Sequence, residues 1–240
     1  MLFLRSLLFS IVMIIVTMVV STLGIICLPL PFSFRWHVIR RWATWNLWAL
    51  EKICKINYEL TGLENIPAET AIIFSKHQST WETMALQLFF PPHVYVVKRE
   101  LLWIPFFGWG LAALNPIAIN RSSGKAAVKQ VIEKGTERLQ LGEWIVVFPE
   151  GTRVRPGQKM RYKMGGALLA ESSGFPIVPV AHNAGEYWQK GQFIKRPGTI
   201  KIVIGPVIQS RGKSAETILK EVENWIESTM EKITTLPAKS

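Results

Sequence analysis

Histidine is scarce in this chain, four in 240 residues, and one of them stands in a stretch whose residue types could do acid–base chemistry. That stretch is SKHQSTWET, Ser75–Thr83. The apolar run AIIF (Ala71–Phe74) precedes it, and Glu82 follows His77 by five positions. An imidazole can take up a proton near neutral pH, and a carboxylate beside it fixes its tautomer and favours its charged form. The same residues also spell a helix start, because Ser79-Thr80-Trp81-Glu82 fits the capping box S-x-x-E. Residues five apart on an ideal helix point roughly 140° away from each other. A His77–Glu82 contact therefore requires His77 in the loop ahead of the helix, which is where the capping reading also puts it. The two readings are compatible.

A second loop supplies complementary chemistry. In FPEGTR (Phe148–Arg153), Gly151 permits close backbone approach, Thr152 adds a hydroxyl, and Arg153 presents a planar fork suited to phosphate. Glu150 is a candidate to accept a substrate hydroxyl or to orient the arginine. Arg121, at the end of PIAIN, is a candidate second phosphate ligand, and Lys98 is the next in line. The plainer alternative is that Pro-Glu-Gly-Thr is a good turn and that Arg155, Lys159, Arg161 and Lys163 form a solvated face. A metal site fits poorly, since His37, His93 and His182 have no paired ligand spacing with His77, and neither C-x-x-C nor H-E-x-x-H occurs. No G-x-S-x-G elbow and no P-loop occur either. What remains is a base that activates the hydroxyl of another molecule.

Positioning such residues takes a scaffold of alternating elements. Strands are expected at Ile56–Thr61, Thr70–Ser75, Val94–Val97, Pro116–Asn120, Trp144–Phe148, Pro176–Ala181 and Ile200–Ile204. Helical patterns fall at Trp81–Phe90, Ser123–Leu141, Lys163–Ser172 and Ala215–Ile233. Alternation of this kind predicts one α/β domain, residues 56–240, with a largely parallel sheet flanked by helices. The last residues, Leu236–Ser240, read as frayed. In open α/β sheets ligands bind beyond the carboxyl ends of the strands. The loops after Ser75, Ile119 and Phe148 all lie there and carry His77, Arg121 and Arg153, and the strands ahead of the two arginines are expected to be neighbours.

Residues 1–55 read as a membrane-anchoring helical segment. From Leu7 to Leu30 the chain carries no charge, and roughly 20 apolar residues suffice to cross a bilayer. No A-x-A cleavage site follows, and Ile26 before Cys27 is wrong for a lipoprotein cut, so a retained anchor is expected. The next segment, Phe34–Lys55, places Trp42, Trp45 and Ala49 at helical spacing among Arg35, Arg40, Arg41 and Lys52. Such a helix suits the headgroup level, or packs its tryptophan stripe on the domain. Only Arg5 precedes the apolar run, so the positive-inside rule puts the remaining chain on the cytoplasmic face of the inner membrane. Lys and Arg outnumber Asp and Glu by 28 to 17, a net charge of +11, which points to an anionic partner. The two cysteines, Cys27 and Cys54, give no disulfide framework.

Four stretches, HQSTWE, PIAINR, FPEGTR and FPIVPV, occur in the order and rough spacing of the four motifs of glycerophospholipid acyltransferases. The chain most resembles the bacterial-type 1-acyl-sn-glycerol-3-phosphate acyltransferases, and KRELLWIPFFGWG (Lys98–Gly110) echoes a further stretch of that group. The resemblance covers Ala71 to Ile208. It implies that His77 is the catalytic base with Glu82 as its acidic partner, and that Arg121 and the Glu150–Arg153 loop bind a phosphorylated acceptor. It implies acyl transfer from acyl-CoA or acyl carrier protein to lysophosphatidic acid at a membrane, with no metal, no other cofactor and no nucleic acid. Pro176–Val180 would shape the pocket. The chain departs from the pattern in having Glu82 where Asp is usual, Lys76 where Asn is frequent and Asn115 where Gly is common. Rival expectations are glycerol 3-phosphate or another lyso-lipid as acceptor, and a membrane-tethered basic module that binds anionic lipid or nucleic acid without catalysis.

Overall fold

The computed structural model describes residues 1–236. Two helices come first, α1 (Leu2–Ile26) and α2 (Phe32–Ala49). A π-helical turn, Leu50–Cys54, ends α2 at Lys55, whose φ of 58° breaks the helix. The sheet strands are β1 (Ile56–Thr61), β2 (Ile72–Ser75), β3 (His93–Lys98), β4 (Ile117–Ile119), β5 (Trp144–Val147), β6 (Ile177–His182) and β7 (Gly198–Ile204). Between and after them lie α3 (Trp81–Phe89), α4 (Phe107–Ala112), α5 (Lys125–Gln140), α6 (Gly165–Ser173) and α7 (Ala215–Ile233). The sheet has seven strands in the order β1-β7-β6-β2-β5-β3-β4. Every neighbouring pair is parallel except β6 with β7, which run antiparallel. The expected α/β class with a largely parallel sheet is therefore the observed one.

Each element follows from its residues. β2 and β5 are buried at every position, as central parallel strands covered on both faces must be, and their Ile/Val/Phe runs supply that burial. Helix α7 turns Ile218, Val222, Ile226, Met230 and Ile233 inward, three to four residues apart as an amphipathic helix requires. The hydroxyl of Ser214 caps it by accepting from the Thr217 amide at 3.3 Å. The expected strands and helices appear with ends shifted by at most two residues. Helix α4 lies where no period was readable, since Pro105, Gly108 and Gly110 interrupt the apolar pattern. The frayed end expected at Leu236–Ser240 lies, from Pro237 onward, outside the described residues.

The sheet separates two apolar layers. One joins Ile73, Tyr95, Val97 and Val146 to Trp81 and Met84 of α3, and continues through Ile39 and Trp42 of α2 to Phe9 and Val20 of α1. The other joins Ile72, Val94, Ile145 and Val147 to α5, α6 and α7. Helix α1 is long and apolar enough to cross a membrane, yet one face is packed on the protein from Ser6 to Gly24. Near its start, the Lys195 amide donates to Ser6 Oγ at 2.9 Å and the Lys195 ammonium to Ser10 Oγ at 3.1 Å. That ammonium also lies about 5 Å from the ring centres of Phe9, Trp188 and Phe193. The Trp42 indole donates to Thr17 Oγ1 at 2.8 Å. The tryptophan stripe of α2 splits, with Trp42 and Ala49 buried while Trp45 and Trp48 face outward.

His93 begins β3 in full burial, its Nδ1–H donating to the Pro91 carbonyl at 2.8 Å, with Nε2 3.0 Å from the Tyr95 hydroxyl. Burial pushes its pKa down from 6.5 to about 4. The folded state thus holds this ring neutral while the unfolded chain would protonate it. Its contribution is complete above pH 6.5 and is lost as pH falls toward 4. Acid should therefore destabilise the wild type by up to about 3 kcal/mol through this residue. Denaturant unfolding of wild type and His93→Gln at pH 7 and pH 4.5 checks it, and the variant should lose less stability on acidification.

Candidate active site

The carboxyl ends of β2, β5 and β6 converge because β2 lies between the other two. The chain leaves β2 at Ser75, and Lys76–Thr80 forms the loop before α3. Glu82, in the first turn of α3 and fully buried, turns back onto that loop. Its Oε1 accepts from His77 Nδ1 at 2.8 Å and from the Gln78 and Ser79 amides at 2.9 Å each. Its Oε2 accepts from the Ser79 amide at 3.1 Å. Glu82 thus braces both the helix start and the imidazole. Ser79 Oγ accepts from the Trp81 amide at 3.3 Å. Because Glu82 is ionised it can only accept, so His77 carries its proton on Nδ1 and leaves Nε2 with the free lone pair. Burial pushes the Glu82 pKa up, but the neighbouring His182, the hydrogen bond from His77 and the Ser79 amide outweigh it and hold it low.

Burial also pushes the His77 pKa below its ordinary value, against the pull of Glu82, and the charges of Arg153 and Arg121 push the same way. The ring is therefore neutral, as a base must be. Its face stacks on Phe148, with centroids 4.0 Å apart and planes at 17°. His77, Phe148, Arg121 and Arg153 together line a cavity of about 370 Å³ that runs between β3, α2 and α4 to Val20 and Ser21 of α1. Most of its wall is apolar, including Val97, Leu101, Ile104, Phe107 and Leu114. Polar side chains, among them Thr83, Gln87 and Tyr95, interrupt it. One end of the cavity thus carries a base and two arginines, and the rest would suit a hydrocarbon chain.

The two arginines reach this point from strands that are not neighbours, because β3 lies between β4 and β5. The sequence-based expectation of adjacent strands is corrected here. Arg121 spans the gap by donating from Nη1 to the Gly151 carbonyl. Gly151 has a φ of +68°, in the left-handed region open to glycine. Thr152 does not line the cavity; its hydroxyl accepts from Lys190 at 3.0 Å. The loop is further tied by the Val154 amide, which donates to the His77 carbonyl at 2.7 Å.

Two other expectations are corrected. Glu150 is fully buried and faces inward, its Oε1 3.3 Å from the Lys76 ammonium and 3.4 Å from the His77 amide. It supports the loop from behind and does not present itself to a substrate. Burial raises its pKa to about 7, opposed by Lys76. Lys98 is half-exposed at the end of β3, does not line the cavity and pairs with Glu100 at 3.2 Å.

Three features of this site had little or no signal in the sequence. Lys76 is buried and serves two carboxylates, Glu150 and, at 2.6 Å, Glu227 of α7, which also accepts from the Tyr162 hydroxyl at 2.8 Å. His182, at the end of β6, accepts the Ala184 amide on Nδ1 and donates from Nε2 to the Lys76 carbonyl at 2.8 Å, so it holds the loop from the other side. Asn115, standing where the motif commonly has glycine, adopts a φ of +48°. Asparagine tolerates that conformation better than most residues, and Arg35 donates to its side chain at 3.4 Å and to the Ala113 carbonyl at 2.7 Å.

Removing one partner from a buried ion group leaves the others uncompensated. Lys76→Met should destabilise the fold by about 3–5 kcal/mol, whereas Lys76→Met with Glu150→Gln should recover part of the loss. Urea midpoints of the single and double variants test this, and equal values would show that Glu150 and Lys76 are not coupled.

The family profile described as Acyltransferase matches residues 57–183. The chain is 45% identical over 234 residues to the 1-acyl-sn-glycerol-3-phosphate acyltransferase of Pseudomonas aeruginosa, covering 95% of this chain and 91% of that protein. It is 30% identical over 166 residues to the enzyme of the same name from Borreliella burgdorferi, covering 68% and 64%. The crystal structure of the 1-acyl-sn-glycerophosphate acyltransferase of Thermotoga maritima superposes with a TM-score of 0.81 at 23% identity, over 98% of this chain and 97% of that one, which bears on the fold. With the profile spanning more than half of its length and a relative 45% identical over nearly all of it, the chain belongs to the acyltransferase family.

Proposed function

We propose that the protein transfers a fatty acyl group from an acyl thioester to the sn-2 hydroxyl of lysophosphatidic acid, giving phosphatidic acid for phospholipid synthesis. The observation that carries this reading is the free Nε2 of a neutral, Glu82-braced His77 at the head of an apolar cavity that also bears Arg121 and Arg153. The names of the relatives, 1-acyl-sn-glycerol-3-phosphate acyltransferase, support the acceptor.

In this reading His77 Nε2 takes the proton of the acceptor hydroxyl as its oxygen attacks the thioester carbonyl carbon. The tetrahedral oxyanion collapses, the carbon–sulfur bond breaks, and the imidazolium returns its proton to the departing thiolate. Glu82 stabilises the transient imidazolium and keeps Nδ1 protonated. Arg121 and Arg153 hold the acceptor phosphate, their charge and fork geometry suiting it. The apolar cavity takes an acyl chain, and its depth sets the preferred length. The chemistry calls for no cofactor beyond the thioester co-substrate, coenzyme A or acyl carrier protein.

The proposed place is the cytoplasmic face of the inner membrane. The outward side of α1 carries Leu4, Leu8, Ile11, Ile15 and Met18, and Trp45, Trp48, Trp103 and Trp109 are likewise exposed. Because α1 is packed along the body for most of its length, these residues support a helix sunk in one leaflet beside the domain rather than a lone span. The lipid acceptor would then enter the cavity where α1 and α2 line it.

His77→Ala should keep its fold and lose about 10²–10⁴-fold in turnover, with Glu82→Gln losing less. Arg153→Ala should raise the KM for lysophosphatidic acid about ten- to a hundredfold and reduce the preference over monoacylglycerol, which lacks the phosphate. Since protonation silences the base and its pKa lies below 6.5, activity should rise with pH and level off before neutrality. Assays with purified protein, several lyso acceptors, glycerol 3-phosphate and both thioesters decide the matter. Full activity in His77→Ala would overturn the mechanism, and liposome binding without transfer by the wild type would favour a non-catalytic module.

A further inference from the structure

A second cavity of about 300 Å³ shares Arg121 and Phe148 with the catalytic one. Its wall is otherwise apolar or glycine, and Arg121 and Lys163 are the charged side chains that line it. Both cations stand at the Gly151 turn, where the two cavities meet. Arg121 donates from Nη1 to the Gly151 carbonyl, and a Cβ on Gly151 would lie 3.0 Å from Lys163 Nζ. Lys163 ends the basic run Arg155, Lys159, Arg161 and Lys163, and although exposed it is fixed in place. Its amide donates to the Pro149 carbonyl at 2.8 Å, and Tyr162 beside it is buried with its hydroxyl bound to Glu227. Lys159, by contrast, pairs with Glu231 at 2.8 Å. Among the described residues neither Lys163 nor Arg121 forms an ion pair. Glu150 of the same turn faces inward onto Lys76, and Glu100, whose charge acts on Arg121, is paired with Lys98. Two cations kept together without a carboxylate repel each other, and an anion between them relieves that repulsion.

We propose that Lys163 is a further ligand of the acceptor phosphate, and that it makes the site select a terminal phosphate monoester. The inference rests on the acyl-transfer reading and adds which headgroup that reading admits. Arg153 lines the catalytic cavity, Lys163 the second cavity and Arg121 both, so a phosphate at Arg121 has a further cation on either side. A terminal phosphate carries a charge of about −1.5 to −2 and three free acceptor oxygens. That charge and those oxygens match two guanidinium forks and one ammonium. A phosphodiester carries less charge and has fewer free oxygens. The alcohol beyond its phosphate would also enter the second cavity, where no polar side chain other than the two cations lines the wall. The ammonium of Lys163 therefore rewards the acceptor whose phosphate ends the molecule.

Lys163→Met keeps most of the stem and removes the charge, Lys163→Gln is a second neutral variant, and Lys163→Arg keeps the charge. Thermal melts report the folding of all three. Calorimetry in detergent micelles with 2-deoxy-lysophosphatidic acid, which lacks the reacting hydroxyl, and with its dephosphorylated counterpart measures phosphate recognition without turnover. Initial rates with lysophosphatidic acid, lysophosphatidylglycerol and monoacylglycerol, each varied at fixed acyl thioester and the reverse, measure its use. The wild type should bind the phosphorylated analogue more tightly than the dephosphorylated one. The neutral variants should weaken that binding about tenfold, and Lys163→Arg should restore most of it. The KM for lysophosphatidic acid should rise by a similar factor with kcat and donor KM little changed, and its advantage over lysophosphatidylglycerol should narrow. A merely structural role would move all three acceptors alike. Unchanged headgroup preference in a folded neutral variant overturns the inference, as does a shift confined to donor KM, which would give Lys163 to the carrier. So does a wild type that uses lysophosphatidylglycerol as readily as lysophosphatidic acid, or one that ignores the phosphate of the analogue, even if acyl transfer proceeds. Analogue binding that depends on Lys163 without any transfer to lysophosphatidic acid would instead sink the proposed function and leave the phosphate site standing.

Discussion

One buried carboxylate holds the site together. Glu82 lies in the interior and is acceptable there only because N–H groups from three successive residues, His77, Gln78 and Ser79, converge on it. An isolated carboxylate in such a place would give up its charge. With those donors it stays ionised, and in staying ionised it fixes the loop, the helix start and the imidazole tautomer together. The loop cannot relax without stranding the charge, and the charge cannot be kept without the loop. That mutual dependence gives the His77 ring its one orientation.

Around this centre the chain adds a second buried polar group that does no chemistry. Lys76 points away from the cavity into Glu150 and Glu227, while its carbonyl takes the His182 proton. The residue next to the base is thus clamped from three directions, by β6 through His182, by the Phe148–Arg153 loop through Glu150 and by α7 through Glu227. The departure from asparagine at position 76 is matched by carboxylates able to receive a cation.

Much of the scaffold was legible because parallel strands buried on both faces must be runs of apolar residues, and AIIF, WIVV and PIVPV announce themselves. Amphipathic helices such as α7 declare their inward stripe in the same way. Helix α4 was not legible, since Pro105 and its glycines hide a period that tertiary contacts with α1 restore. Within the site, the His77–Glu82 pairing could be reasoned from spacing, because five residues across a loop-to-helix boundary allow it. Glu150 could not be placed, since a turn sequence does not tell which side chain faces inward. Arg121 was read as sitting beside β5, and only the strand order reveals β3 between them. His182 is a lone histidine until the sheet sets β6 beside β2.

The contact between Lys195 and Ser6 joins residues 189 positions apart. During synthesis α1 leaves the ribosome long before the chain that must receive it exists. Until Trp188, Phe193 and Lys195 have been made, Phe9 and Ser10 have no protein partners on that side. An apolar helix waiting through most of its own translation needs another solvent, and lipid is the one that suits its composition. The membrane would then serve this chain first as a holding place during its birth, with docking onto the finished domain as the last event.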